Sequence, residues 1–461
     1  MTATATAKSY ARLLSPSYWA ETIFKFFYIL IQHIIIWLFK PPPPPGPDYP
    51  KNPKGRIAVI GAGLTGVSSA AHAIAHGFDV VIYEQGDTVG GIWAHVNKTS
   101  GLQLNSLLYR FHPAVLWSKP FPQRDEILKE IRRIWKEYQL EPRTRLNTPV
   151  RSVKRVKGTG ERLQEDPSGA RPSKWIVNDG EDGEFDAVVV TVGTCGEPMR
   201  VGFPGLPSAD EHKEKKDEKK EQSEKEGKGH ARKHSETHSD VSYADVVKEG
   251  SKHEGDKESA SDHQPSHDGD DEGGDQEEGE EETFEGEVVH SSELDDAQLE
   301  GKRVLVIGSG ASGVEAVETA LDKGAKGCVM IARDDKWIIP RNMVLDTLIS
   351  AQPFGREMPL SFVWERVVAW WNYRGARELV PARLGLFEGT PVVNDEFVGL
   401  VKEGKCEYVR GDIERFGRRG VRVRARGREE RPGEGRELEE VRGDEIDCTS
   451  DIDEERVFSG C

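Results

Sequence analysis

Hydrophobic and polar positions divide the chain into three kinds of pattern. The first is an apolar run, Ile23 to Phe39 (IFKFFYILIQHIIIWLF), interrupted by Lys25, Gln32 and His33. A bilayer span needs ~20 apolar residues, with roughly 17 as the lower limit, so the run predicts a helix long enough to serve as a membrane anchor. Tyr18, Trp19 and Trp37 stand where interfacial aromatics are expected. The prolines Pro41 to Pro45 follow directly and predict a stiff, extended spacer separating the run from the rest. Residues 1–50 are therefore read as anchor plus spacer. Lys40, Lys51, Lys54 and Arg56 on the C-terminal side, against Lys8 and Arg12 on the other, put the main body on the cytosolic face of a membrane.

The second pattern occurs twice. Arg56 to Ile60 (RIAVI) is a β-branched run, a small-residue helix is predicted from about Leu64 to His76, and a strand from Asp79 to Tyr83. Arg303 to Ile307 (RVLVI) repeats it, with a helix through about Leu321 and a strand from Cys328 to Ala332. Both are βαβ units, each with a glycine-rich turn between strand and helix: GAGLTG with Gly61, Gly63 and Gly66, and GSGASG with Gly308, Gly310 and Gly313. In such a turn the first glycine permits the bend, the second lets a pyrophosphate approach the backbone, and the third lets the helix pack on the strand. The helix N-terminus presents N–H groups to phosphate. The next strand ends in Glu84 in the first unit and in Arg333 in the second. An acid there suits a ribose diol and an arginine suits a 2′-phosphate. The predicted fold class is α/β, with two Rossmann-like dinucleotide-binding domains, FAD on the first and NADPH on the second.

The third pattern has almost no apolar positions. From Ala209 to Thr283 the larger apolar residues are Val241, Tyr243, Val246 and Val247, too few to offset the cost of ordering, so an acidic, disordered insert is expected. It holds 12 Lys and Arg against 26 Asp and Glu, which accounts for −14 of the net charge of −17. The remainder is close to neutral, and no nucleic-acid partner is inferred. Seven of the 13 histidines fall in this stretch without the spacing of a closed metal site, and no metal is expected. The five cysteines are scattered with no CxxC pair, which fits a reducing compartment and argues against a dithiol-using flavin reductase.

Further residues make the chain resemble the flavin-containing monooxygenases and their relatives, the Baeyer–Villiger monooxygenases and N-hydroxylases. Gly90-Gly91-Ile92-Trp93 looks like a GGxW element beside the flavin, with Gly91 and Trp93 in the cofactor site. Leu102 to Phe111 looks like the family's active-site stretch, with Asn105 in the Asn position. Asp186 to Gly193 looks like the connection between the domains, with Gly193 in the cofactor site, and Phe284, Gly286 and His290 match FxGxxxH. Trp337 and Pro340-Arg341 are similar to the nicotinamide side of the family's site.

The resemblance implies NADPH-driven reduction of FAD, reaction with O₂ to a C4a-hydroperoxide in a dry pocket, and oxygen transfer to a soft nitrogen or sulfur atom of a small molecule. Asn105 is the candidate donor there, and His290 a hinge residue. The alternatives are ketone oxygenation of the Baeyer–Villiger type, towards which Leu294 in the extended motif gives no lead, and a non-catalytic, membrane-anchored relative. The same resemblance sets domain boundaries: 55–208 for the first part of the FAD domain, 209–283 for the insert, and 284–391 for an NADPH domain inserted into it. Residues 392–461 are expected to return in part to the FAD domain and to end in a divergent or truncated tail without the family's Ala-Thr-Gly strand. An endoplasmic-reticulum membrane is the expected location.

Overall fold

The computed structural model describes residues 16–157, 173–194, 196, 202–206, 283–350, 360–435, 437–443 and 445–448. The acidic insert, save Thr283, and Cys195 lie outside the described residues. Both glycine-loop units belong to one body, made of the chain up to Pro204 and from Phe284 onward.

The first unit is built on strands β1 (Arg56–Ile60), β2 (Asp79–Tyr83), β3 (Thr144–Arg145) and β6 (Ala187–Val190), all parallel in the order β3-β2-β1-β6. A hairpin of β4 (Val153–Lys157) and β5 (Ser173–Val177) precedes β6. Helix α1 spans Pro16–Phe39, α2 Leu64–Ala75 and α3 Arg124–Glu137. The third residue of each strand in the run RIAVI/DVVIY is buried, and parallel strands covered on both faces are apolar throughout for that reason. On α2, Gly66, Val67, Ala70, Ala71 and Ile74 form the buried stripe. Their small size brings the helix close to β1, and each larger member contributes roughly 1.5–3 kcal/mol by leaving water. The helix stops at His76, and Gly77 takes the left-handed conformation that follows it. Helix α3 opens with Asp125 and Glu126 in its first turn, favourable at the positive end of the helix dipole, and buries Ile127, Ile131 and Ile134 against the same core.

The second unit is larger. Strands β7 (Glu287–His290), β8 (Arg303–Ile307), β9 (Gly327–Ala332), β12 (Cys406–Gly417), β13 (Gly420–Ala425), β14 (Glu437–Arg442) and β15 (Glu445–Cys448) make one sheet in the order β14-β13-β12-β9-β8-β15-β7. The strands from β12 to β7 are parallel, whereas β12, β13 and β14 form an antiparallel meander. A two-residue parallel pair, β10 (Ile338–Ile339) and β11 (Val392–Val393), stands apart. Helices α4 (Ala311–Asp322), α5 (Met343–Ser350), α6 (Ser361–Trp371) and α7 (Phe397–Lys402) complete the unit.

Two expectations need correction. Residues 392–461 were expected to return to the first domain, but every described strand from Cys406 on joins the second sheet, and β15 is inserted between β8 and β7. The reason is register: Glu445–Cys448 pairs with Val304–Ile307 on one side and Glu287–His290 on the other, so an interior position is filled by a charge-rich segment whose pattern alone was ambiguous. The proline run, expected to keep the N-terminal helix apart, is itself docked. Tyr138 donates its hydroxyl to the Pro41 carbonyl at 2.5 Å, Gln139 Nε2 donates to that of Pro44 at 3.2 Å, and both prolines are buried. Further up the helix, Tyr28 Oη donates to the Lys119 carbonyl (2.8 Å) and meets Ser106 Oγ (2.7 Å). Gln32 Nε2 donates to the Trp117 carbonyl (2.9 Å), while its Oε1 accepts from Trp117 N (2.8 Å) and Arg110 Nη1 (3.0 Å).

Candidate functional site: two glycine loops and the seam between their folds

The first loop is shaped so that side chains are excluded. Gly61 has φ +99°, and a Cβ there would lie 2.5 Å from the Thr191 carbonyl oxygen. A Cβ on Gly66 would lie 1.8 Å from the Gly61 carbonyl oxygen, which fixes how closely α2 sits on the turn. Gly63 is the N-cap of α2, and no side chain caps that helix. Thr191, just past β6, closes the turn from the other side: its N–H donates to Ile60 O (2.8 Å) and its hydroxyl to Ile60 O (2.7 Å) and Gly61 O (3.1 Å). Nothing in the sequence marked Thr191 beyond its place after a strand.

Glu84 ends β2 as expected, and its carboxylate lies across the loop. Oε2 accepts from the Ala62 N–H (2.7 Å) and Oε1 from the Gly86 N–H (2.9 Å). Gly90 and Gly91 both have positive φ, and Gly91 comes so near the loop that a Cβ on it would be 2.9 Å from Gly63 Cα. The GGxW element thus packs at the loop mouth. Trp93 lies in the short helical turn Gly91–Ala94, half-buried, with its carbonyl taken by Arg124 Nε at 3.2 Å. Gly193, beyond β6, has φ +74° and open space around it.

The second loop repeats the arrangement. Gly308 has φ +107°, Gly310 is the N-cap of α4 without a side-chain cap, and Gly313 is buried in the first turn. Arg333 follows β9 and is exposed, its guanidinium 3.5 Å from Asp334. Ser309 Oγ in the loop donates to the Asp334 carbonyl, so the loop and the arginine are held together.

The segment Phe284–His290 runs along the edge of the second sheet. Phe284 is buried edge-on against Phe416 with centroids 6.1 Å apart, and Gly286 lies in the bend leading into β7. His290 ends β7 and caps the turn Ser291–Glu293: its Nδ1 accepts from Ser292 N (3.2 Å), while its own N–H donates to Glu293 Oε2 (3.2 Å). That turn touches the first fold, because Asn97 Nδ2 donates to the Ser291 carbonyl and Asn97 Oδ1 accepts from Asp295 N (3.3 Å).

The segment from Asn97 to Asn105 forms a polar seam with the second fold. Thr99 and Ser100 donate their hydroxyls to Glu315 Oε1 (2.8 and 2.6 Å), and Gln103 Oε1 accepts from Val393 N (3.0 Å). Burial pushes the Glu315 carboxyl up from its ordinary value, against the two hydroxyls and the charge of Arg341. Glu318, one turn further on, is pushed up by burial too, and Asn394 Nδ2 donates to it at 2.6 Å.

Asn105 is almost wholly buried here. Its N–H donates to Asp346 Oδ2 (2.8 Å), its Nδ2 to Thr347 Oγ1 (3.1 Å), and its Oδ1 accepts from Leu107 N (2.9 Å). Burial raises the Asp346 carboxyl, partly offset by that backbone bond. Trp337 is a core residue, its Nε1 donating to the Leu384 carbonyl at 2.7 Å and its ring edge-on to Tyr373. Arg341 is held by its own N–H to Asp395 Oδ1 (2.7 Å).

Residues 59–131 match the model of the NAD(P)-binding Rossmann-like domain. The chain is 26% identical over 192 residues to the flavin-containing monooxygenase FMO GS-OX-like 7 of Arabidopsis thaliana, covering 34% of this chain and 39% of that protein. It is 26% identical over 319 residues to the probable flavin-containing monooxygenase 1 of the same plant, covering 64% and 48%. The chain thus spans less than half the length of these relatives. In fold it is similar to the solved OTEMO complex with FAD and NADP, with a TM-score of 0.51, 16% identity, and 87% and 72% of the two chains covered. The chain therefore resembles flavin-containing monooxygenases in sequence and has an α/β fold with a Rossmann-like domain.

Proposed function

We propose that the protein is an FAD-containing, NADPH-dependent monooxygenase that oxygenates a soft nitrogen or sulfur atom of a small molecule. The observation that carries this reading is the pairing of two uncapped glycine loops whose following strands end in opposite charges, Glu84 and Arg333, within one body. The residues present fit both cofactors. Gly61 and Gly66 pack against the chain's own backbone, so that the loop leads into the uncapped N-terminus of α2, where a pyrophosphate would be held, and Glu84 stands at the strand end where a ribose diol would be bound. Arg333 is exposed beside the second loop, as a 2′-phosphate requires.

When bound, flavin supplies the oxygen activation, and NADPH the hydride. The chain's own residues do the rest. The glycine loops orient the pyrophosphates, and Thr191 fixes the shape of the first turn. The Asn97–Asn105 seam joins the two folds through hydrogen bonds and limits water between them. Asn105 uses one Nδ2 hydrogen on Thr347, and we assign the second to the oxygenation pocket. Phe284, Gly286 and His290 lie where the chain enters the second sheet, and His290 acts as the hinge residue there. The apolar helix α1 attaches the protein to a membrane.

The test is the visible absorption spectrum of detergent-purified protein before and after anaerobic NADPH. A flavin spectrum that bleaches supports both loop assignments. A colourless protein that cannot be loaded with added FAD sinks the proposal and favours a non-catalytic relative.

A further inference from the structure

Helix α1 has its amphipathicity turned inside out. Among its described side chains the two that are buried against the folded body are polar, Tyr28 and Gln32, both hydrogen-bonded to the segment Ser106–Lys119, with the partly buried Ile29 packed beside them. The groups facing away are large and apolar: Ile23, Phe27, Leu30, Ile34, Trp37 and Leu38, with Trp37 81% exposed. At 100° per residue these six lie within an arc of roughly 100°, which the exposed Phe24, Phe26 and Ile31 widen to roughly 160°, centred well away from Tyr28 and Gln32, while Phe39 at the helix end is exposed outside it. Helices in water bury the apolar face and expose the polar one, so a face of this size and composition needs an apolar neighbour.

We infer that this neighbour is a lipid bilayer, and that α1 lies in the plane of its surface rather than crossing it. The inference rests on the membrane attachment proposed above and specifies its mode. Crossing would require about 30 Å of free helix. From Tyr28 to Lys40 the chain is fastened to the first fold, by Tyr28, by Gln32 and by the Lys40–Glu137 ion pair, which takes up about 18 Å of helical rise. The docked prolines that follow remove the slack a reoriented helix would need. Spanning would also pull Gln32 away from Trp117 and Arg110 into hydrocarbon. An in-plane helix keeps every one of these bonds and still buries the apolar arc. Trp19 and Trp37 lie on that arc towards its two ends, suited to the headgroup level. Lys51 and Lys54, exposed just beyond the prolines, complement anionic headgroups.

The full chain is expressed with an N-terminal epitope tag, translated into sealed microsomes and treated with protease from outside. Purified protein is also floated with phosphatidylcholine/phosphatidylserine vesicles. The expected result is co-flotation that strengthens with phosphatidylserine and weakens with salt, and a tag cleaved from outside. A Leu30→Glu/Ile34→Glu variant should lose flotation by about tenfold while remaining monomeric and folded by circular dichroism. Gln32→Leu, on the docked face, should still float but melt at a lower temperature. A tag protected inside the microsomes, with flotation intact, overturns the in-plane mode and leaves the membrane reading standing. Failure to float overturns both, and a dimer that Leu30→Glu/Ile34→Glu dissociates would give the apolar arc to a second copy instead.

Discussion

The two glycine-loop units begin alike and finish differently. In each, a strand, a glycine turn, a small-residue helix and a second strand are followed by an antiparallel excursion, after which the chain returns beside the opening strand. In the first unit the excursion is the hairpin β4–β5 and the returning strand is β6. In the second it is the meander β12–β13–β14 and the returning strand is β15. Strand β6 has no second partner among the described residues, and Val190 and Val192 at its end are about two-thirds exposed. Strand β15 is covered by β7, the strand that ends in His290. The motif segment thus completes the second sheet and, through the turn it caps, grips the first fold at Asn97. In the first sheet Thr191 fastens the returning strand to the loop.

The sharpest way to break the likeness is at the helix–loop contact of the first unit. Gly66→Ala places a methyl group 1.8 Å from the Gly61 carbonyl oxygen, and the obstacle is backbone, so α2 must move. We expect a loss of about 3 kcal/mol or more, with no flavin retained. Gly404→Ala is the control: its φ of +70° is unfavourable for alanine but nothing lies within 4 Å, so about 1 kcal/mol and a retained flavin are expected. Thermal melts and absorbance at the flavin band measure both. Equal effects would mean that loop packing is not what distinguishes the two positions.

The strand-end residues test whether the units differ in ligand. Arg333→Ala should raise the KM for NADPH by about 10- to 100-fold, the loss of a charge-assisted contact, and leave NADH turnover nearly unchanged. The same fold-change with both nucleotides would place Arg333 outside the 2′-phosphate site.

The glycine loops were legible because local sequence carries them: the positive φ of Gly61 and Gly308 and the close backbone contact at Gly66 favour glycine. The polarity of Glu84 and Arg333 was legible for the same reason, each being the next residue after a short buried strand. What could not be read depended on long-range partners. Strand β15 (EIDC) has no decisive pattern and is a strand because β8 and β7 pair with it. Asn105 was picked out, but its burial under Asp346 and Thr347 is set by α5, more than two hundred residues away. The N-terminal run was read by its mean hydropathy, which hides the (i, i+4) pair of Tyr28 and Gln32; that spacing in an otherwise apolar helix was the available signal of docking.

The cores of the two units also differ in how they respond to acid. The first contains His112, fully buried, with its ring against His72 and Tyr138 (centroids 4.7 and 5.0 Å) and Nδ1 accepting from Ala114 N at 3.1 Å. Burial, and then the nearby charge of His72, lower its pKa to about 3. The folded state therefore binds fewer protons than the unfolded chain between about pH 6.5 and 3, and stability falls by about 1.4 kcal/mol per pH unit across that window. Above pH 6.5 this contribution is fully present. His112→Asn, which keeps an acceptor for Ala114 N, should be less stable at pH 7 because the ring packing is lost, yet show a flatter decline in melting temperature from pH 6.5 to 4.5. An unchanged slope would locate the acid sensitivity elsewhere.

The smallest effect is expected at the seam, where the comparison ends because the two units meet. Glu315 on α4 of the second unit accepts hydroxyls from Thr99 and Ser100 of the first, and burial raises its pKa. For a carboxyl raised in this way, the stabilising contribution is complete below the unfolded value near pH 4.3 and is lost as pH rises through the folded one. At neutral pH the charge is therefore a liability that the two hydroxyls and Arg341 only partly offset. Glu315→Gln keeps an oxygen acceptor for both hydroxyls and removes the charge. Its melting temperature should be slightly above that of the parent at pH 7 and indistinguishable at pH 4. Were the variant less stable at pH 7, the attraction of Arg341 would outweigh burial, and the seam would be held by charge rather than by hydroxyl donors.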